Sequence, residues 1–247
     1  MGKKDDLIKD LIPILSNRDL LEKFVMKNSN LPGPRANFEL AFALADTYED
    51  FDVLEQWAGI TEDQADGNDP RSFLAFCSAV CLGKIYTKKR NSKIIAILKK
   101  LANDRRWRMK EAAAFGFQLI GESDFGVLKR IFSDWIKQAN NLDKRAILVS
   151  LAHPPLLNEA NAGFCFEMAD MVLKEMDRGN GFDVLRKGLE FTISVFAAAN
   201  PAMGFNFIKR WIGKDKIIDK IMKENLKKNR LLNKYPEEVA SLLNKMK

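Results

Sequence analysis

After about residue 70, apolar side chains recur at three- and four-residue intervals. Ile94, Ile97, Leu98 and Leu101 form one stripe, and Leu128, Ile131, Phe132, Trp135 and Ile136 form the next. Leu185, Leu189, Thr192, Ile193 and Phe196 repeat the pattern, followed by Phe205, Ile208, Trp211 and Ile212. Such spacing puts the apolar residues on one face of an α-helix and predicts helices that bury one side. No run alternates with the two-residue period of a half-buried strand, and no Asn-Gly or Asp-Gly pair joins two such runs. Breakers fall between the stripes, at Pro32-Gly33-Pro34, Gly67-Asn68-Asp69-Pro70, Gly121, Pro154-Pro155, Gly179-Asn180-Gly181, Asn200-Pro201 and Pro236.

The predicted helices pair. A first helix near 92–103 leads to a second near 107–120; 125–138 leads to 142–152, 161–177 to 183–198, and 202–212 to 216–228. The basic residues that open the second helices, Lys110, Arg145, Lys187 and Lys220, are 35, 42 and 33 residues apart. Two helices per unit and a period around 40 residues predict a helical solenoid. A weaker copy precedes them, with Asp69-Pro70-Arg71 lying 35 residues before Asp104-Arg105-Arg106. Asp134-Trp135-Ile136 and Arg210-Trp211-Ile212 each end a first helix, a second internal echo. Before residue 69, Leu7–Leu15, Leu20–Met26, Phe38–Ala45 and Phe51–Trp57 suggest four short helices. The expected organisation is one domain over 1–247: an irregular helical cap at 1–68, repeats at 69–230 and a closing cap at 231–247.

One segment is more specific than the rest, Asp104-Arg105-Arg106-Trp107-Arg108-Met109-Lys110-Glu111-Ala112-Ala113-Ala114-Phe115-Gly116. It resembles the HEAT family of helical repeats, in which an Asp in the inter-helix turn precedes, by six residues, a basic residue just inside the second helix. Asp104 and Lys110 match that pair, and Ala112 and Ala113 match its small residues. The resemblance implies an all-α fold, a right-handed α-α superhelix of the HEAT/ARM type. It also implies that the acid–base pair bonds across adjacent turns. The other repeats depart from the pattern: Ala139 stands where Asp104 would be relative to Arg145, and Lys214 relative to Lys220. A more distant, architectural resemblance over about 70–232 links the chain to the HEAT-like DNA alkylation-repair glycosylases. That resemblance implies a groove for duplex DNA lined by aromatics and a carboxylate. Trp107, Trp135 and Trp211 are candidates for the aromatics; no Asp maps onto a catalytic motif.

Charge changes the picture more than composition does. Apolar residues make up 47 % and charged residues 30 % of 247, ordinary for a globular protein. Glu39 to Asp69 holds ten acidic residues and no Lys or Arg; Lys84 to Lys110 holds eleven basic and one acidic; Lys209 to Lys234 holds ten and three. Either these blocks are solvated faces that balance one another, or the basic ones meet a polyanion. No run of about 18 apolar residues predicts a membrane span. Met1–Asp6 lacks the apolar core of a signal peptide, and three cysteines, Cys77, Cys81 and Cys165, fit reduced thiols, so a cytoplasmic location is expected.

Catalytic motifs are absent: there is no Gly-rich phosphate loop, G-x-S-x-G or H-E-x-x-H, and His153 is the only histidine. No cofactor or metal is expected. The best functional candidates are Arg105, Arg106, Trp107, Arg108 and Lys110, since arginines neutralise phosphates and a Trp stacks on bases. The competing role for Trp107 is to fill the core between repeats, and this is the favoured reading. The arginines are expected to be exposed. Lys144, Arg145, Arg186, Lys187, Lys216 and Lys220 recur at the equivalent place and are expected to form a basic ladder along the array. The expected function is a non-catalytic binding module for nucleic acid or an acidic protein. The alternatives are excision of alkylated bases from DNA and a protein-interaction scaffold.

Overall fold

The computed structural model describes residues 2–246, and among them every regular element is helical. The chain forms two compact units, 1–124 and 125–247. The N-terminal unit contains α1 (Lys3–Leu11), α2 (Arg18–Lys27), α3 (Phe38–Thr47), α4 (Phe51–Ala58), α5 (Ser72–Lys88), α6 (Ser92–Ala102) and α7 (Trp107–Ser123). The C-terminal unit contains α8 (Phe125–Trp135), α9 (Asn141–Leu151), α10 (Glu159–Lys174), α11 (Phe182–Ala199), α12 (Pro201–Trp211), α13 (Lys216–Leu226), α14 (Asn229–Leu232) and α15 (Pro236–Asn244). No helix among the described residues is long and apolar enough to cross a membrane.

Many of the starts are written locally. Asn17, Asn37, Asp50, Asn91, Asn140, Asn158, Asn200 and Asp215 each accept a hydrogen bond from a first-turn N–H of α2, α3, α4, α6, α9, α10, α12 and α13. A side-chain oxygen there satisfies an amide that the helix cannot. Helix α7 has no such cap; its preceding residue is Arg106.

In the N-terminal unit, α5 is the centre and packs against α2, α3, α4, α6 and α7. It is buried on nearly every side from Ser72 to Gly83, so its sequence shows no stripe. Its approach to α7 is backbone on backbone: a Cβ added at Gly83 would stand 2.4 Å from the Gly116 carbonyl oxygen. Ala79, Ala112 and Ala113 are fully buried, which is the use of the small residues in Ala112–Gly116. Phe38, Phe76 and Phe115 interlock as stacked and edge-on rings. Ser78 Oγ donates to the Leu54 carbonyl at 2.6 Å and ties α5 to α4. Cys77 and Cys81 are buried in α5, and burial pushes both thiols up, away from reactivity.

In the C-terminal unit, α11 has the central place, touching α9, α10, α12, α13 and α14. A Cβ at Gly204 of α12 would stand 2.3 Å from the Cβ of Ala197, so α12 lies close on α11. Gly181 enters α11 with φ +77°, a left-handed conformation that favours glycine. Leu231, Val239 and Leu242 bury α14 and α15 against this unit.

Candidate nucleic-acid interface

The arginine–tryptophan segment begins in the turn before α7. Asp104 accepts from the Arg106 backbone N–H at 2.8 Å and from its guanidinium at 2.9 Å and 2.7 Å. Arg106 then reaches the turn after α4, donating to the carbonyls of Ala65 at 3.0 Å and Ile60 at 2.7 Å. Lys110 closes the turn by donating to the Arg105 carbonyl at 3.1 Å. Burial alone would raise the Asp104 carboxyl, but the hydrogen bonds and charge of Arg106, with Lys110 behind, hold it below the usual range. Asp104 thus bonds Arg106, and Arg106 spans to the neighbouring turn.

Two expectations fail here. Arg106 and Arg108 are not exposed; they retain only 3 % and 4 % of their surface. Arg106 is consumed by backbone carbonyls left over at a helix end and in a turn. Arg108 donates to the Gly33 carbonyl, and burial lowers its pKa. Trp107, in contrast, does not fill the core: it is 52 % exposed, and the Arg108 guanidinium lies 4.5 Å from its ring centroid. As the first residue of α7 it has no preceding turn to pack against. Arg105 is exposed but meets Glu62 at 2.6 Å and Asp63 at 2.7 Å. With Lys84 on Asp46 at 3.2 Å, and Lys88 on Glu49, the acidic block of 39–69 is matched by the basic block of 84–110 within one unit.

Lys144 and Arg186 are also engaged internally. Lys144 is buried and donates to the Glu175 carbonyl at 2.7 Å; Asn141 beside it donates to the carbonyls of Asp177 and Asn180, both at 2.9 Å. Arg145 is half-buried on the same helix. Arg186 pairs with Glu190 and with Asp183.

The remaining predicted residues, Lys187, Lys216 and Lys220, are exposed. On α13, Lys216 and Lys220 are joined by Lys223 and by Lys227 just beyond its end, an i, i+4, i+7, i+11 series that is exposed throughout. The opposite face buries Ile218, Ile221, Met222, Asn225 and Leu226. Helix α11, packed against α13, adds Lys187. Glu224 is an acid inside the stripe. The Lys227 hydrogen bond lowers its pKa, and the charges of Lys228 and Lys220 act in the same direction. Lys223 and Lys227 continue the spacing of Lys216 and Lys220 in the sequence but were not among the predicted site residues.

Charge divides between the units. Residues 1–124 hold 19 Lys and Arg against 19 Asp and Glu; residues 125–247 hold 21 against 14, so the whole excess of +7 lies in the C-terminal unit. That unit also contains a carboxylate beside a tryptophan. Asp170 accepts from Trp211 Nε1 at 3.1 Å, from Arg210 at 2.5 Å and from Lys174 at 2.6 Å, in a cavity of about 290 Å³ that Lys214 also lines. Sequence reading missed this group because its members sit on α10 and α12, 41 residues apart. Trp135 is buried against Phe132. No protein family, curated protein or solved structure matches the chain.

Proposed function

We propose that this protein is a HEAT-like array of helical pairs that binds nucleic acid without catalysis, through the lysine stripe of α13. The observation that carries the reading is the exposed series Lys216, Lys220, Lys223 and Lys227, on the unit that holds all of the net positive charge. Cations spaced along one helix face neutralise successive phosphates and release their counterions, whatever the base sequence. The carbonyl-bound Arg106 and Lys144 serve the turns of the array in this reading, and the lysines serve the partner. Fluorescence anisotropy with a labelled DNA duplex tests it. Binding is expected at low salt, weakening steeply as salt rises and strongly reduced in Lys216→Glu/Lys220→Glu/Lys223→Glu. Equal binding by that variant removes the stripe from the interface, and no binding at low salt overturns the nucleic-acid reading.

A second reading, excision of alkylated bases, draws on Asp170 beside Trp211. Both carboxylate oxygens of Asp170 are already engaged by cationic donors, which favours a structural role for this acid. Release of free base from methylated DNA by the wild type, lost in Asp170→Asn, is the outcome that would replace binding with catalysis.

A further inference from the structure

A cavity of about 320 Å³ lies in the N-terminal unit; it shares Ile60, whose carbonyl holds Arg106, with the turn described above and includes none of the predicted site residues. It is lined by Arg18, Glu22 and Met26 of α2, Gln56 and Trp57 of α4, Ile60 and Gln64 of the following turn, and Arg71 and Leu74 at the start of α5. Its volume is at the lower end of what holds a small molecule.

The polar groups of this cavity are unevenly spent. Glu22 Oε1 accepts from Arg18 Nε at 2.7 Å and Trp57 Nε1 at 2.8 Å. Gln56 Oε1 accepts from Arg18 Nη1 at 2.8 Å, and Gln64 Oε1 from the Thr61 backbone N–H at 2.9 Å. Asp69, outside the cavity, holds Arg71 through Nε and Nη2. What is left is mainly donors: Arg18 Nη2, Arg71 Nη1 and the amide nitrogens of Gln56 and Gln64 have no acceptor among the described residues, against one carboxylate oxygen, Glu22 Oε2, that has no donor. Arg18 and Arg71 also stand at the N-terminal ends of α2 and α5, where the helix dipole favours negative charge. The accessible apolar part of the wall is Met26 and Ile60; Trp57 and Leu74 form its floor and keep only 1 % and 4 % of their surface.

We infer that this cavity binds a small monocarboxylate with an apolar body, its carboxylate held between Arg18 and Arg71 and its body against Met26, Trp57, Ile60 and Leu74. Charge disfavours a dianion. Arg18 and Arg71 are already balanced by Glu22 and Asp69, so the site recognises a planar pair of acceptors by hydrogen bonds and apolar fit and does not favour a dianion. Two sources share this chemistry, the C-terminus of a peptide and a short acyl carboxylate.

The test is a calorimetric titration of the full chain with N-acetyl-leucine and with octanoate. N-acetyl-leucinamide, 1-octanol and inorganic phosphate serve as comparisons. Saturable binding of either carboxylate, about tenfold tighter than its uncharged counterpart and than phosphate, is expected. Which carboxylate binds names the source. Arg18→Gln and Arg71→Gln are each expected to weaken it about tenfold. Both side chains are substantially exposed, and an unchanged far-UV spectrum and melting curve show that the fold is kept. Gln64→Glu, which adds a like charge at the rim, is expected to weaken it as well. Failure of both carboxylates to bind overturns the inference. So does binding that survives in all three variants, or that does not distinguish acid from amide and alcohol.

Discussion

Asn225 has no exposed surface, and its side chain spends all its bonds on backbone. Its Nδ2 donates to the Leu189 carbonyl at 2.7 Å and the Ile221 carbonyl at 2.8 Å, and its Oδ1 accepts from the Ser194 N–H at 2.7 Å. It therefore bonds α13 into the backbone of α11. Removing the amide takes a bond from one buried donor and two buried acceptors, and leaving such a group unsatisfied costs about 1–3 kcal/mol. Asn225→Ala and Asn225→Leu are both expected to destabilise the C-terminal unit by at least about 1 kcal/mol in urea unfolding. If the leucine variant keeps full stability, apolar filling rather than the bond is what matters there. Asp104 gives a pH signature. Its folded pKa lies below the unfolded value of about 3.9, so its contribution is complete above that pH and is lost as pH falls through the folded value. Asp104→Asn should flatten part of the loss of stability below about pH 4; an unchanged acid limb would show that Asp104 carries none of it.

Helix packing rests on glycine where two backbones touch. A Cβ at Gly116 would stand 2.7 Å from the Ala79 carbonyl oxygen and 2.8 Å from Leu98 Cδ2. Alanine is the better helix former by about 1 kcal/mol, but here α5 would have to give way. Gly116→Ala is expected to lower the melting temperature. Gly163→Ala, on an exposed face of α10 with Met203 Cε the nearest atom at 3.9 Å, is expected to raise it. The same sign for both would mean that helix propensity, not helix contact, dominates. These elements differ in how far the sequence disclosed them. The one-faced helices α6, α8 and α12 follow their stripes. Helix α5 has apolar residues on all sides and so offers no period, although it is the centre of its unit. The basic positions were visible, but not their partners: nothing local tells Lys144 that a carbonyl at Glu175 awaits it, or Trp107 that it will face solvent. Asp170 and Trp211 meet only because α10 and α12 pack together.

Across the whole molecule, a net charge of +7 conceals a neutral N-terminal unit and a C-terminal unit that carries all of the excess. In the first, acid and base cancel through pairs such as Arg105 with Glu62 and Asp63. Polyanion binding should therefore depend on the second alone. Every phosphate that the protein no longer neutralises reduces the slope of log affinity against log salt by about 0.9 on duplex DNA. Changing Lys216, Lys220 and Lys223 to Gln in the full chain should make that slope shallower by about 3. Arg105→Gln in the N-terminal unit should leave it unchanged, because Arg105 is already matched by two acids. The slope, not the affinity at one salt concentration, is the decisive measurement, because a variant that merely loosens the fold weakens binding without changing the number of ions released. If Arg105→Gln changes the slope as much as the lysine variant does, the N-terminal unit also neutralises phosphates and the division of labour by charge is wrong.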